Sequence, residues 1–215
     1  MATRILFQGD SITDASRNRD DFFGMGVGYP NLIKGRLGAE SPLEFEFLNR
    51  GVSGNRIVDL YARIKQDFIN LAPDVASVYV GVNDVWHEIN RQNGVSTEKF
   101  EKIYEMLLEE VYEALPDVRL ILISPFVLLG TATVSTEDVP DRFERFRADV
   151  AEKAAVCKKL AAKYHLPLVE LSPIFDAACE KAPATHWTVD GVHPTVCGHE
   201  LIARAWLRAF SSLEK

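Results

Sequence analysis

The strongest constraint on the fold is an alternation. Short apolar runs of strand character recur between amphipathic helical stretches along the whole chain. Five runs qualify: Arg4 to Gln8, Phe45 to Asn49, Val75 to Val80, Arg119 to Ser124 and Leu166 to Glu170. Their near-continuous apolarity suits parallel strands, which are covered on both faces. Between them, Phe100, Ile103, Tyr104, Leu107, Leu108 and Val111 repeat at helical spacing, with Glu and Lys opposite and Thr97 as the expected N-cap. Ile57, Leu60, Tyr61, Ile64, Phe68 and Leu71 predict a second helix, and Phe143, Phe146, Val150, Ala154, Cys157, Ala161 and Tyr164 a third. Leu201, Ile202, Ala205, Trp206, Ala209 and Phe210 predict the last. Such βα units predict a three-layer α/β/α sandwich around a five-stranded parallel sheet.

The 215 residues contain no internal repeat, low-complexity tract or Gly/Ser linker, so one domain is expected across 1–215, wound in the flavodoxin-like manner. Hydrophobic residues make up 47% and charged residues 26%, which excludes a disordered composition. The net charge of −7 argues against a nucleic-acid footprint, and no polybasic cluster offers a membrane anchor. Cys157, Cys179 and Cys197 are odd in number and widely spaced, so neither a disulfide framework nor a zinc knuckle is expected. Met1 to Arg4 leads straight into the first strand without an apolar leader, and the stretch from Leu120 to Leu129 is too short to span a bilayer. A cytoplasmic location and no membrane insertion are therefore expected. Oligomeric state is not legible.

In a doubly wound sheet, functional loops gather at the carboxyl ends of the strands. The first strand is followed by Gly9-Asp10-Ser11-Ile12-Thr13, which places a serine at that edge; Asp10 or Ser11 equally suits a helix cap. The second is followed by Asn49-Arg50-Gly51-Val52-Ser53-Gly54-Asn55, where glycines let the backbone approach a ligand, as an ordinary loop also does. After the third comes Gly81-Val82-Asn83-Asp84, whose asparagine offers a side-chain amide or an Asx-turn. Near the other end, Asp190-Gly191-Val192-His193-Pro194 puts a carboxylate three residues ahead of an imidazole, in what is otherwise a plain surface turn. Together the four loops supply a nucleophile, a base, a carboxylate and oxyanion donors at one sheet edge.

In order and spacing these residues resemble the SGNH or GDSL hydrolases, serine esterases whose four blocks carry serine, glycine, asparagine and histidine. Gly9-Asp10-Ser11 matches the first block, Gly51 the second, Gly81-x-Asn83-Asp84 the third and Asp190-x-x-His193-Pro194 the last. Ile12 stands where the motif has leucine, an apolar exchange that leaves the chemistry intact. The resemblance implies that Ser11 attacks an ester carbonyl, His193 relays its proton, and Asp190 orients the ring. It implies an oxyanion hole made by the backbone N–H groups of Ser11 and Gly51 and the Asn83 amide. Asp10, Asp84 and Trp86, beside these blocks, are the expected substrate contacts. No cofactor is implied.

Competing chemistries fit less well. Neither nucleotide glycine motif follows the first strand, and Gly24-Met25-Gly26-Val27-Gly28 lies too far downstream and reads as a loop. His186, Asp190 and His193 have spacings that a helix could converge on a metal, with His199 nearby, but Gly191 and Pro194 break that helix, so no metal is expected. Phe22, Phe23, Leu128, Leu129 and the stretch from Gly130 to Pro140 are candidate pocket walls. Short connections leave little material for a lid, so an open groove and short acyl groups are expected, such as acetyl on a carbohydrate or other small alcohol. The alternatives are a lysophospholipase or thioesterase acting on longer acyl chains, and a non-catalytic ester- or sugar-binding module on the same scaffold.

Overall fold

The computed structural model describes residues 2–213. Strands β1 (Thr3–Gly9), β2 (Phe45–Asn49), β3 (Val75–Tyr79), β4 (Arg119–Ile123) and β5 (Leu168–Val169) form one sheet in the order β2-β1-β3-β4-β5. Every pairing is parallel. From β1 the chain winds outward to β2, then crosses back to β3 on the other side. This reversal opens a crevice at the carboxyl ends of β1 and β3, where ligands of doubly wound sheets bind.

The helices are α1 (Ser11–Asp14), α2 (Tyr29–Glu40), α3 (Ile57–Ala62), α4 (Ile64–Asp67), α5 (Val82–Arg91), α6 (Thr97–Ala114), α7 (Arg142–Lys163), α8 (Leu171–Cys179), α9 (Ala184–Trp187) and α10 (Val196–Ser212). Successive strand residues point to opposite faces. Ile5 and Phe7 therefore enter one core with Tyr29 of α2, Phe175 of α8 and Trp206 of α10, while Leu6 enters the other with Leu60 of α3 and Leu107 of α6. Helix α7 serves both: Phe146 and Val150 join the first core, Cys157 and Leu160 the second. Among the described residues, no helix is long and apolar enough to cross a membrane.

Local details depart from the periodicity. The helix expected from Ile57 to Leu71 is broken into α3, α4 and a 3₁₀ turn at Ile69–Leu71. The break falls at Arg63, whose backbone leaves helical geometry at φ −112° and ψ 13° and whose side chain turns back to bind backbone carbonyls near the sheet edge. The last strand has two residues rather than five, because Leu171 already opens α8. Ser96, not Thr97, caps α6 through its hydroxyl, whereas Thr97 Oγ1 accepts from Lys153 Nζ at 2.7 Å.

Phe7 joins the site-bearing strand to both flanking helices. Its ring meets Tyr29 edge-on at 5.8 Å and Trp206 at 5.4 Å. Phe7→Ala is expected to lower unfolding free energy by about 3–5 kcal/mol in urea titration; a loss below about 1 kcal/mol would contradict this packing.

Candidate active site

The end of β1 delivers Ser11 as the first residue of α1, with Asp10 as its cap: Asp10 Oδ1 accepts from Ile12 N at 3.0 Å. As a first-turn residue, Ser11 has a backbone N–H without an intrahelical acceptor. On the other side of the crevice, β3 ends at Tyr79, which pairs with Gly9, and Asn83 follows in the first turn of α5. Asn83 is 5% exposed and its Nδ2 donates to Asn55 O at 3.1 Å.

Asp190 and His193 lie on the turn between α9 and α10. Gly191 adopts φ +98°, a left-handed conformation that favours glycine, and the turn is closed by a Thr188–Pro194 bridge. The loop after β4 clamps it, with Leu128 N donating to Gly191 O at 2.8 Å and Ala132 N to Asp190 O at 2.9 Å. His193 thereby faces Ser11: Ser11 Oγ lies 3.0 Å from His193 Nε2, and His193 Nδ1 lies 2.7 Å from Asp190 Oδ2. Because the carboxylate only accepts, Nδ1 carries the proton and Nε2 is free to accept from the serine hydroxyl.

The electrostatics agree with this tautomer. Burial opposes ionisation of Asp190, but hydrogen bonds from the His193 ring, His193 N and Val192 N hold its pKa down to about 2. The bond to Asp190 raises the His193 pKa above the ordinary 6.5, against partial burial. Buried Asp10 contributes to the same rise through its charge.

The loop after β2 shows which of its amides faces the site. Arg50 N donates to Phe7 O, Gly51 N to Asn49 Oδ1, Val52 N to Gly9 O, Ser53 N to Asp14 Oδ2 and Asn55 N to Val52 O. Gly54 N has no acceptor among the described residues. Gly54, at φ +83°, lines a hollow of about 280 Å³ together with Ser11, Asn83 and His193. This corrects the expectation for Gly51, whose amide is satisfied by Asn49 and whose Cα packs so tightly on α1 that a Cβ would stand 2.3 Å from Asp14 N. Gly54 lies in the same glycine loop, and the sequence alone does not distinguish its amide from that of Gly51.

Two further expectations are corrected. Asp10 and Asp84 are both wholly buried and bind backbone rather than lining the hollow. Asp84 accepts from Ile57 N at 3.1 Å and so anchors the start of α3. Burial raises the pKa of each to about 7. Trp86, in contrast, does line the hollow, its ring 5.8 Å from that of His193, and His87, Asn90 and Arg91 continue the wall along α5. Phe22 and Phe23 lie outside it, exposed and packed edge-on, with the Arg50 guanidinium 4.3 Å above Phe22. Leu129 and Val134 border a separate apolar hollow beside Val189. His199 is buried under α2, where Nδ1 accepts from Tyr29 N at 3.1 Å and desolvation lowers its pKa to about 4. Among the described residues, no three His, Cys, Asp or Glu side chains cluster to hold a metal ion.

A hydroxyl, an imidazole and a carboxylate in series, at the switch point of a parallel α/β sheet, define the class as a serine-type hydrolase. The comparisons narrow it. The profile of the GDSL-like Lipase/Acylhydrolase family matches residues 7–201, and the chain belongs to that family. It is 32% identical over 215 aligned residues to an acetylxylan esterase of Geobacillus stearothermophilus, covering 95% of this chain and 92% of that one. A solved structure of a GDSL-like lipase from Parabacteroides merdae superposes with a TM-score of 0.87 at 33% identity, covering 96% of this chain and 94% of the other. Structures of the Geobacillus enzyme superpose at 0.83 and 30% identity, covering 97% of this chain and 95% of that one. They include catalytic mutants of an aspartate and of a histidine three residues further on. The chain is accordingly a carboxylic ester hydrolase of the GDSL type.

In an NMR pH titration, the His193 ring is expected to lose its proton above pH 6.5. In Asp190→Asn the ring loses its main partner and keeps only the charge of Asp10, the smallest of these effects, against burial, so its pKa should fall; an unchanged value would refute the coupling.

Proposed function

We propose that the protein removes acetyl groups from esters of carbohydrates or similar small polyhydroxyl alcohols, through an acyl-enzyme on Ser11. The observation that carries this reading is the Ser11–His193–Asp190 hydrogen-bonded series opening into a solvent-facing hollow walled by Trp86 and by polar side chains. The hollow leaves room for a small acyl group beside Trp86. Ser53, His87 and Asn90 on its wall offer hydrogen-bond partners to hydroxyl groups. The similarity to an acetylxylan esterase supports the same substrate class.

In this reading the Ser11 hydroxyl attacks the ester carbonyl as Nε2 of His193 takes its proton, and Asp190 stabilises the resulting imidazolium. The carbonyl oxygen becomes an oxyanion facing Ser11 N–H, Gly54 N–H and Asn83 Nδ2. His193 then hands the proton to the departing alcohol oxygen, leaving an acetyl-serine. Water deprotonated by the same ring attacks that ester, acetate leaves, and the proton returns to Ser11. Only His193 with Nε2 unprotonated starts the cycle, so kcat/KM rises with pH along a limb centred above 6.5.

A longer acyl chain is the second reading. It is favoured by the apolar hollow of about 280 Å³ between Leu129, Val134 and Val189, beside the turn that carries Asp190. Chromogenic acetate, butyrate and octanoate esters separate the two. Acetate is expected to give the highest kcat/KM and octanoate the lowest; the reverse order would replace the acetyl reading. Ser11→Ala and His193→Ala are expected to lose roughly 10⁶-fold in kcat, and Asp190→Ala less. Asn83→Ala is expected to lose about 10²- to 10³-fold in kcat with little change in KM. An absence of both ester turnover and phosphonate labelling at Ser11 would point to a non-catalytic binding module.

A further inference from the structure

We propose that Arg63, which does not line the hollow, is the positioning residue that sets all three oxyanion donors at once, through a single guanidinium bound to three segments of backbone and loop. The inference rests on the oxyanion assignment above. Nη2 donates to Gly9 O at 3.2 Å, fixing the end of β1 from which Ser11 departs. Nη1 donates to Arg50 O at 2.8 Å and Nε to Asn55 Oδ1 at 2.8 Å, gripping both ends of the loop that carries Gly54. The carbonyl of Asn55 in turn accepts from Asn83 Nδ2 at 3.1 Å, which fixes the plane of that amide. Ser11, Gly54 and Asn83 are each one or two hydrogen bonds from the same cation.

The chemistry requires arginine. Five donors in a rigid planar fork reach acceptors in several directions, whereas a lysine ammonium concentrates three donors on one atom. Asp67 balances the charge, its Oδ2 accepting from Nη1 at 2.9 Å, so a side chain only 17% exposed is held without an unpaired ion. The position also explains the interruption between α3 and α4. A continuous helix would carry residue 63 onward around its axis, while the observed break lets the guanidinium reach back under the loop.

With carbonyls turned inward, the loop's remaining amide is turned outward. Arg63 holds Arg50 O, Arg17 Nε holds Gly51 O at 3.2 Å, and Gly54 N is left without an acceptor among the described residues. An oxyanion hole works because its dipoles are oriented before charge develops. A misplacement of about 1 Å is enough to lower turnover about 100-fold without altering ground-state binding much.

The test uses the full chain with Arg63→Lys and Arg63→Gln, and Asn55→Ala, which removes only the side-chain link to the loop. On p-nitrophenyl acetate, kcat is expected to fall about 10- to 100-fold in the Arg63 variants and about 3- to 10-fold in Asn55→Ala, with KM within about twofold. The rate of phosphonate labelling at Ser11 should fall in parallel, because that adduct also places an oxygen in the hole. The NMR titration of His193 should stay at its wild-type midpoint, which a general collapse of the site would not allow. Wild-type kcat in folded Arg63→Lys, or in Asn55→Ala if the arginine variants do not fold, overturns the proposal. So does a kcat loss matched by the fraction of protein that phosphonate never labels. Should acetate prove inert in the wild type while labelling is slowed in the variants, the acetyl reading falls and the role of Arg63 stands.

Discussion

Everything at the site depends on the pairing of β1 with β3. Gly9 lies opposite Tyr79 in that ladder, so the residues that follow the two strands emerge side by side at one edge of the sheet. Parallel pairing is slanted and continuous, and the strands are buried on both faces. The register is therefore held by the whole core: a slip of one residue would turn Phe7 out of one core and Leu6 out of the other. A serine and an asparagine separated in the chain by α2, β2, α3, α4 and β3 are thus placed by packing that neither side chain takes part in.

Around this fixed pair the protein arranges carboxylates that do not line the hollow. Asp10 caps α1, Asp14 holds Ser53, Asp84 anchors α3 and Asp190 orients His193, each carboxylate binding backbone amides or a ring N–H beneath the reacting surface. Asp190 is the most acidified, held down by the His193 ring and two backbone amides, and Asp14 is lowered as well by Arg19 and Ser53. Asp10 and Asp84 are pushed the other way, since burial raises the energy of the charged form more than one or two amide donors lower it. Carboxylates in similar motifs thus serve opposite purposes, decided by solvation.

Much of this was legible in the chain. Residues 11, 83, 190 and 193 lie after predicted strands or in a tight turn, and the strand runs themselves follow from apolar patterning alone. The alternation of βα units also implied the layering. Other parts were not legible. Asp10 and Asp84 sit beside motif residues, and nothing in composition or spacing tells a side chain above the sheet edge from one below it. The choice between Gly51 and Gly54 depends on which amide already has an acceptor, and the acceptors come from β1, α1 and Asn49. The break at Arg63 overrides a helical repeat that continues through it.

The amino-acid order alone determined the strands, most of the helices and the chemical identities gathered at the sheet edge, because hydrophobic periodicity and turn chemistry are local properties of a chain. Tertiary structure decided which amide of the glycine loop is free, which carboxylates are buried, and where Arg63 reaches. Those depend on hydrogen-bond partners and desolvation contributed by segments distant in sequence, and they exist only once the sheet has closed its two cores.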